Sequence, residues 1–136
     1  MYSISKKISI IKKASVAKST FMNDEAIPSA ITTFTCCSCG HENTVEIKPY
    51  ESGFAILQLY NEDQVLSKSE LLKYGMVSET SQRMMYFGEL TVNDQPTLYF
   101  GTDCSSCHSQ YIGVFSYGEK QPGLSILSIS GLWKYE

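Results

Sequence analysis

The chain has 136 residues, of which 43% are hydrophobic and 18% charged, a composition that suits one globular domain able to bury its own core. No apolar run nears the roughly 18 residues of a membrane span. Lys6, Lys7, Lys12 and Lys13 also break the Ile-rich N-terminus where a secretory leader would stay apolar, so the chain is expected to be cytoplasmic with reduced thiols.

Charge divides the sequence. Residues 1–20 hold five Lys and no acid; residues 21–136 hold the other six basic groups and all fourteen acids, a balance of −8. Residues 1–30 thus read as a Lys-rich N-terminal arm, solvated by default, that could touch an acidic partner, a membrane surface or nucleic acid. Ile4, Ile8 and Ile11 fit a helical face and Ile4, Lys6, Ile8 and Ile10 one side of a strand, so periodicity does not choose. Pro28 closes the segment, and residues 31–136 read as a single domain.

From Ile31 the pattern sharpens. Residues 31–35 read as a strand, followed by Cys36-Cys37-Ser38-Cys39-Gly40 and a second strand over 44–48, in which Val45 and Ile47 alternate with polar residues until Pro49. Residues 54–60 read as a further strand or a buried segment. Ser67 or Ser69 caps a short helix over 70–74, with Gly75 at its C-terminal glycine position. Residues 84–92 read as a strand, 93–96 as a turn, and 97–100 as a strand leading to Cys104-Ser105-Ser106-Cys107. Residues 111–117 leave this second pair as a strand, 118–123 turn the chain, and 124–133 return with Leu127, Ile129 and Trp133 on one side. The expected class is α+β and β-rich, built of antiparallel hairpins with a helix-strand insert at about 50–96.

The chemistry lies in the two C-x-x-C pairs. Two thiolates two residues apart bind one ion from a single tight turn, whose backbone N–H groups spread the sulfur charge. Two such turns facing each other complete a tetrahedron with metal–sulfur distances of about 2.3 Å. Cys36, Cys39, Cys104 and Cys107 are the expected ligands, of Zn²⁺ first. Rubredoxin-like iron fits the same spacing, two disulfides fit an oxidising compartment, and free thiols remain open. No βαβ pattern accompanies either pair, which argues against a thioredoxin-like redox site.

These pairs resemble the knuckles of the zinc-ribbon fold group over about residues 32–49 and 97–135. The resemblance implies a metal-bearing hairpin facing a three-stranded sheet. Two features depart from a minimal ribbon: 64 residues separate Cys39 from Cys104, which implies an insert, and His108 stands where Gly would be easier.

The spare Cys37 reads as a small residue packed beside the site, with ligand exchange or a reactive thiol as alternatives. His41 and His108 read as partly exposed neighbours, either able to replace a thiolate or, when protonated, to offset the −2 charge of zinc bound by four thiolates. The aromatic residues Tyr86, Phe87, Tyr99, Phe100, Phe115, Tyr117, Trp133 and Tyr135 read as core, with base stacking or protein contact as alternatives. The acids form no catalytic pair, and no nucleophile elbow, H-E-x-x-H or phosphate loop is present.

The expectation is therefore a non-enzymatic, zinc-stabilised protein-binding module. Its size and acidity suggest an immunity or inhibitor protein that neutralises a basic toxin or enzyme. The alternative is a zinc-ribbon nucleic-acid-binding or transcription-associated protein using the Lys-rich segment.

Overall fold

The computed structural model describes residues 1–23, 29–48 and 51–136. The expected breaks at Pro28 and Pro49 lie outside these residues. Eleven strands and one α-helix are described: β1 (Ile10–Lys13), β2 (Ser15–Val16), β3 (Thr20–Asn23), β4 (Ala30–Thr35), β5 (Glu42–Ile47), β6 (Phe54–Ala55), α1 (Lys68–Lys73), β7 (Ser78–Glu79), β8 (Leu90–Thr91), β9 (Thr97–Asp103), β10 (Gln110–Gln121) and β11 (Leu124–Tyr135). The class is α+β and strand-rich.

A six-stranded sheet runs β1-β11-β10-β9-β6, with β3 also paired to β11; β2-β4-β5 form a second sheet and β7-β8 a small third. All described strand pairs are antiparallel. The central strand β10 is apolar on both sides, as a strand covered on both faces must be. Ile112 and Val114 join a core cluster with Leu59, Leu66, Leu71 and Met76. Tyr111 and Phe115 join a second with Phe34, Val45, Ile47, Cys36 and Cys104. Residues 56–92 thus cover one face of the large sheet, and the β2-β4-β5 sheet covers the other. Gly113 opposes Phe100 in the ladder, and a side chain at Gly113 would collide with the Phe100 ring.

Several expected elements are present with small changes of boundary. Helix α1 opens on Ser67, whose hydroxyl accepts from the Glu70 N–H while the Glu70 carboxylate accepts from the Ser67 N–H. Gly75 follows it at φ +71°, a conformation cheap only for glycine. Asn93 and Asp94 both take positive φ in the expected turn.

Four expectations fail. The Lys-bearing N-terminus is not a solvated arm: Ile4, Ile8 and Ala14 are buried, Tyr2 bridges to Gly101, and β1 pairs with β11. Its isoleucines and alanine bury apolar area that a solvated arm would leave in water. Residues 84–92 are not one strand. Gln82–Phe87 form a 3₁₀ helix, and only Leu90–Thr91 are extended. The extended pair Leu90–Thr91 is taken up by Ser78–Glu79 in the small β7-β8 sheet rather than by the large one. The expected turn at 118–123 shrinks to Pro122-Gly123, because β10 and β11 stay paired out to Gln121 and Leu124. Finally, Trp133 does not share a face with Leu127 and Ile129. A bulge at Ser130, where Val114 opposes Gly131 but Phe115 opposes Ile129, reverses the alternation. Leu127 and Ile129 therefore enter one cluster and Trp133 the other.

Candidate metal centre

Two tight turns present the cysteines, one between β4 and β5 and one between β9 and β10. Their backbones match. The N–H of Gly40 donates to the Cys36 carbonyl at 3.0 Å, and that of His108 to the Cys104 carbonyl at 2.9 Å. The Cys36 N–H donates to the His41 carbonyl and the Cys104 N–H to the Ser109 carbonyl, each at 2.9 Å. Gly40 sits at φ +74° and His108, at the equivalent place, at +63°. The second turn therefore repeats the left-handed exit of the first with a residue that adopts it less easily.

The turns face each other, and the sulfurs of Cys36, Cys39, Cys104 and Cys107 all lie within 4.8 Å of one another. Across the gap, Cys36 Sγ is 3.5 Å from Cys107 Sγ and Cys39 Sγ is 3.6 Å from Cys104 Sγ. A tetrahedron with metal–sulfur distances of about 2.3 Å has edges of about 3.8 Å, so the spacing fits one ion at the centre. All five cysteines are free thiols. The geometry is consistent with a zinc-ribbon-like site. Among the described residues, His41 and His108 are not in this cluster, and Cys37 lies outside it with its sulfur 3.7 Å from the Lys13 carbonyl oxygen.

The first cysteine of each turn is buried and the second exposed. Burial alone would raise the Cys36 thiol. The Tyr111 hydroxyl and the N–H groups of Cys39 and Ser38 outweigh it and hold the group down at about 5. Burial likewise opposes ionisation of Cys104, but the Cys107 N–H and the Asn43 amide bring its net value below the ordinary one. For Cys39, the His41 N–H favours the thiolate, yet desolvation and the neighbouring sulfurs together raise it to about 11. Four sulfurs without a cation between them do not ionise together; a divalent ion removes that conflict.

Two supporting residues escape a reading of the motif. Asn43 donates to Cys104 Sγ at 3.5 Å and to the His41 carbonyl at 3.2 Å, while its own carbonyl accepts from the Ser105 N–H at 2.9 Å. One amide on β5 thus ties both turns. Its signal in the sequence is a polar residue on the inward parity of Val45 and Ile47. Tyr111 donates to Cys36 Sγ at 3.1 Å and accepts from the Cys37 N–H at 2.7 Å, but nothing in the sequence separates it from the core aromatics. Beside the first turn, Lys134 Nζ donates to Ser38 Oγ at 2.5 Å, which places a cation near the thiolates.

No protein-family model matches the chain, and no curated protein or solved structure matches it either. Among the described residues no helix is long and apolar enough to cross a membrane.

Proposed function

We propose that the protein is a non-enzymatic module of zinc-ribbon type that uses one Zn²⁺ for structure and binds another protein. The observation behind this reading is the convergence of four cysteine sulfurs within 4.8 Å. A set of four thiolates fills a tetrahedral ion, whereas a catalytic zinc keeps a position for water or substrate. Cys36, Cys39, Cys104 and Cys107 would hold the ion, which would join β4-β5 to β9-β10, with residues 50–96 as the insert. Partner binding is suggested by exposed apolar side chains, Met85 at 49% and Tyr86 at 74% accessibility. An acidic module of this size suits an inhibitor or immunity protein that covers the basic face of a toxin or enzyme, acting in the cytoplasm. Co-purification with the zinc-loaded chain as bait tests the reading: a stoichiometric, cationic protein partner is expected, and repeated recovery of none contradicts it.

One observation favours nucleic-acid binding as a second reading. The N-terminal lysines are fixed on the body, and Lys12 lies directly opposite Lys134 in the β1–β11 ladder. Like charges so placed repel and would gain from a phosphate between them. Removing residues 1–20 is a poor test, because it also strips Ile4, Ile8 and Ala14 from the core. Lys12→Gln with Lys134→Gln is the cleaner one: this reading expects weaker DNA or RNA binding with a shallower salt dependence, and unchanged binding removes it.

A further inference from the structure

The 3₁₀ helix Gln82–Phe87 carries Met84, Met85, Tyr86 and Phe87 in succession, yet none of its residues is buried. Such a cluster is costly to leave in water unless something covers it. The Tyr86 and Phe87 rings are 4.3 Å apart, and the Tyr86 hydroxyl lies 3.7 Å from Met84 Sδ. Beneath them is a groove of about 610 Å³, completed by Pro96, Leu98, Tyr117 and Glu119, within the range of sites that take a ligand side chain or small molecule.

Three features define what fits. First, the lining is aromatic and apolar, with Glu119 as its one charged member and no Lys or Arg among its described residues. Rings beside a carboxylate favour a cation, through the negative ring faces and the opposite charge. Second, Gly118 has no side chain, and the Gln95 side chain takes the place where its Cβ would stand, so Gln95 adds an uncharged amide to the groove lining. Third, strand β10 outruns its neighbour. The β9–β10 ladder ends at Thr97 opposite Ser116, and one further bond joins the Tyr117 N–H to the Pro96 carbonyl at 3.1 Å. Residues 118–121 are then paired to β11 alone among the described ladders. The other edge of β10 borders the groove and can receive an extended chain.

We propose that this groove binds an extended segment of a partner protein through an Arg or Lys side chain, seated against Tyr86, Phe87 and Tyr117 and facing Glu119, with the segment lying along the edge of β10 that no described strand occupies. The proposal rests on the protein-binding reading and gives that partner an address and a sign of charge. It also explains why an exposed helix so short carries two methionines and two aromatic rings, side chains favoured at protein interfaces.

The test uses the zinc-loaded full chain and two probes, N-acetyl-arginine methylamide and its uncharged citrulline analogue. The arginine probe is expected to move the NMR ring signals of Tyr86, Phe87 and Tyr117, and the citrulline probe to bind at least about threefold more weakly. Glu119→Gln and Tyr86→Ala, both at exposed positions, should each weaken the arginine probe by a similar factor without altering the fold. Equal binding of both probes, shifts located elsewhere, or indifference to Glu119→Gln would overturn the proposal. Co-purification separates the two readings. A partner held by the wild type and lost by the Tyr86→Ala, Glu119→Gln double variant supports the groove. A partner held equally by both forms overturns the groove and leaves protein binding standing. No partner for either form counts against protein binding, and the probes still decide whether the groove takes a cation.

Discussion

On one face of the central sheet the cover is aliphatic. Leu59, Val65, Leu66, Leu71 and Met76 are wholly buried there against Ile112, Val114 and Trp133, and the chain over them is continuous. On the opposite face lies the separate β2-β4-β5 sheet, with Phe34, Val45 and Ile47 facing Tyr111 and Phe115. The β4-β5 hairpin meets the large sheet at the end of that layer through two turns and four sulfurs. A small three-stranded layer has little apolar area of its own. On the proposed zinc reading, the ion ties the β2-β4-β5 layer to the large sheet and does little for the other face.

Chelation, or Cys104→Ser, puts the largest strain on this contrast. Structural zinc supplies on the order of 10 kcal/mol to zinc-finger peptides; a loss on the order of 5 kcal/mol is expected here, since a core remains. Hydrogen exchange should show β4 and β5 losing protection while α1 and residues 59–66 keep theirs. Simultaneous loss on both faces would break the comparison.

This contrast was only partly legible in the sequence. The C-x-x-C spacing exposes the metal face directly, because two residues between thiols is a geometric requirement that survives any fold. The α1 helix was legible for the same kind of reason: Ser67, Glu70 and Gly75 carry its start and stop locally. Where tertiary pairing decides, the reading failed. Residues 84–92 have the composition of a strand, yet only Leu90–Thr91 are extended, and they pair with β7. Trp133 changes face through a one-residue bulge at Ser130 that no local pattern marks. The N-terminal lysines hid Ile4 and Ile8, whose burial depends on strands about 100 residues away. Asn43 and Tyr111 act on the sulfurs through the register of β5 and β10, which spacing along the chain does not encode.

Leu71→Ala attacks the aliphatic face instead. Truncating a fully buried leucine costs about 3 kcal/mol, so the denaturation midpoint should fall while metal affinity stays within a factor of two. Loss of the ion from this variant would mean that the two faces are coupled.

Tyr111→Phe is the sharper probe of the metal face. It removes the hydroxyl that donates to Cys36 Sγ and leaves the Cys37 N–H without that acceptor. A cost of about 2 kcal/mol is expected, the range for a bond to a charged group, read as weaker metal binding in a chelator competition.

The smallest effect lies at the Lys7–Glu70 pair, 2.6 Å apart, where the N-terminal segment meets α1. Lys7 holds the Glu70 carboxyl below its ordinary 4.5, aided by the Ser67 N–H. Because the folded value is depressed, the contribution is complete above about 4.5 and disappears as pH falls through the lowered folded value. Lys7 is 62% exposed, so screening limits the effect of Lys7→Met to about 0.5 kcal/mol at neutral pH. Denaturation at pH 7 and at pH 3 should show that difference shrinking in acid; a difference that grew would assign the pair a different role.

The central claim is that four sulfurs share one ion. Elemental analysis of protein purified without chelator, combined with X-ray absorption at the zinc edge, addresses it most directly. One zinc per chain with four sulfur neighbours at about 2.3 Å is the predicted result. A chain free of metal, or an ion with nitrogen or oxygen in place of any of the four sulfurs, would contradict it.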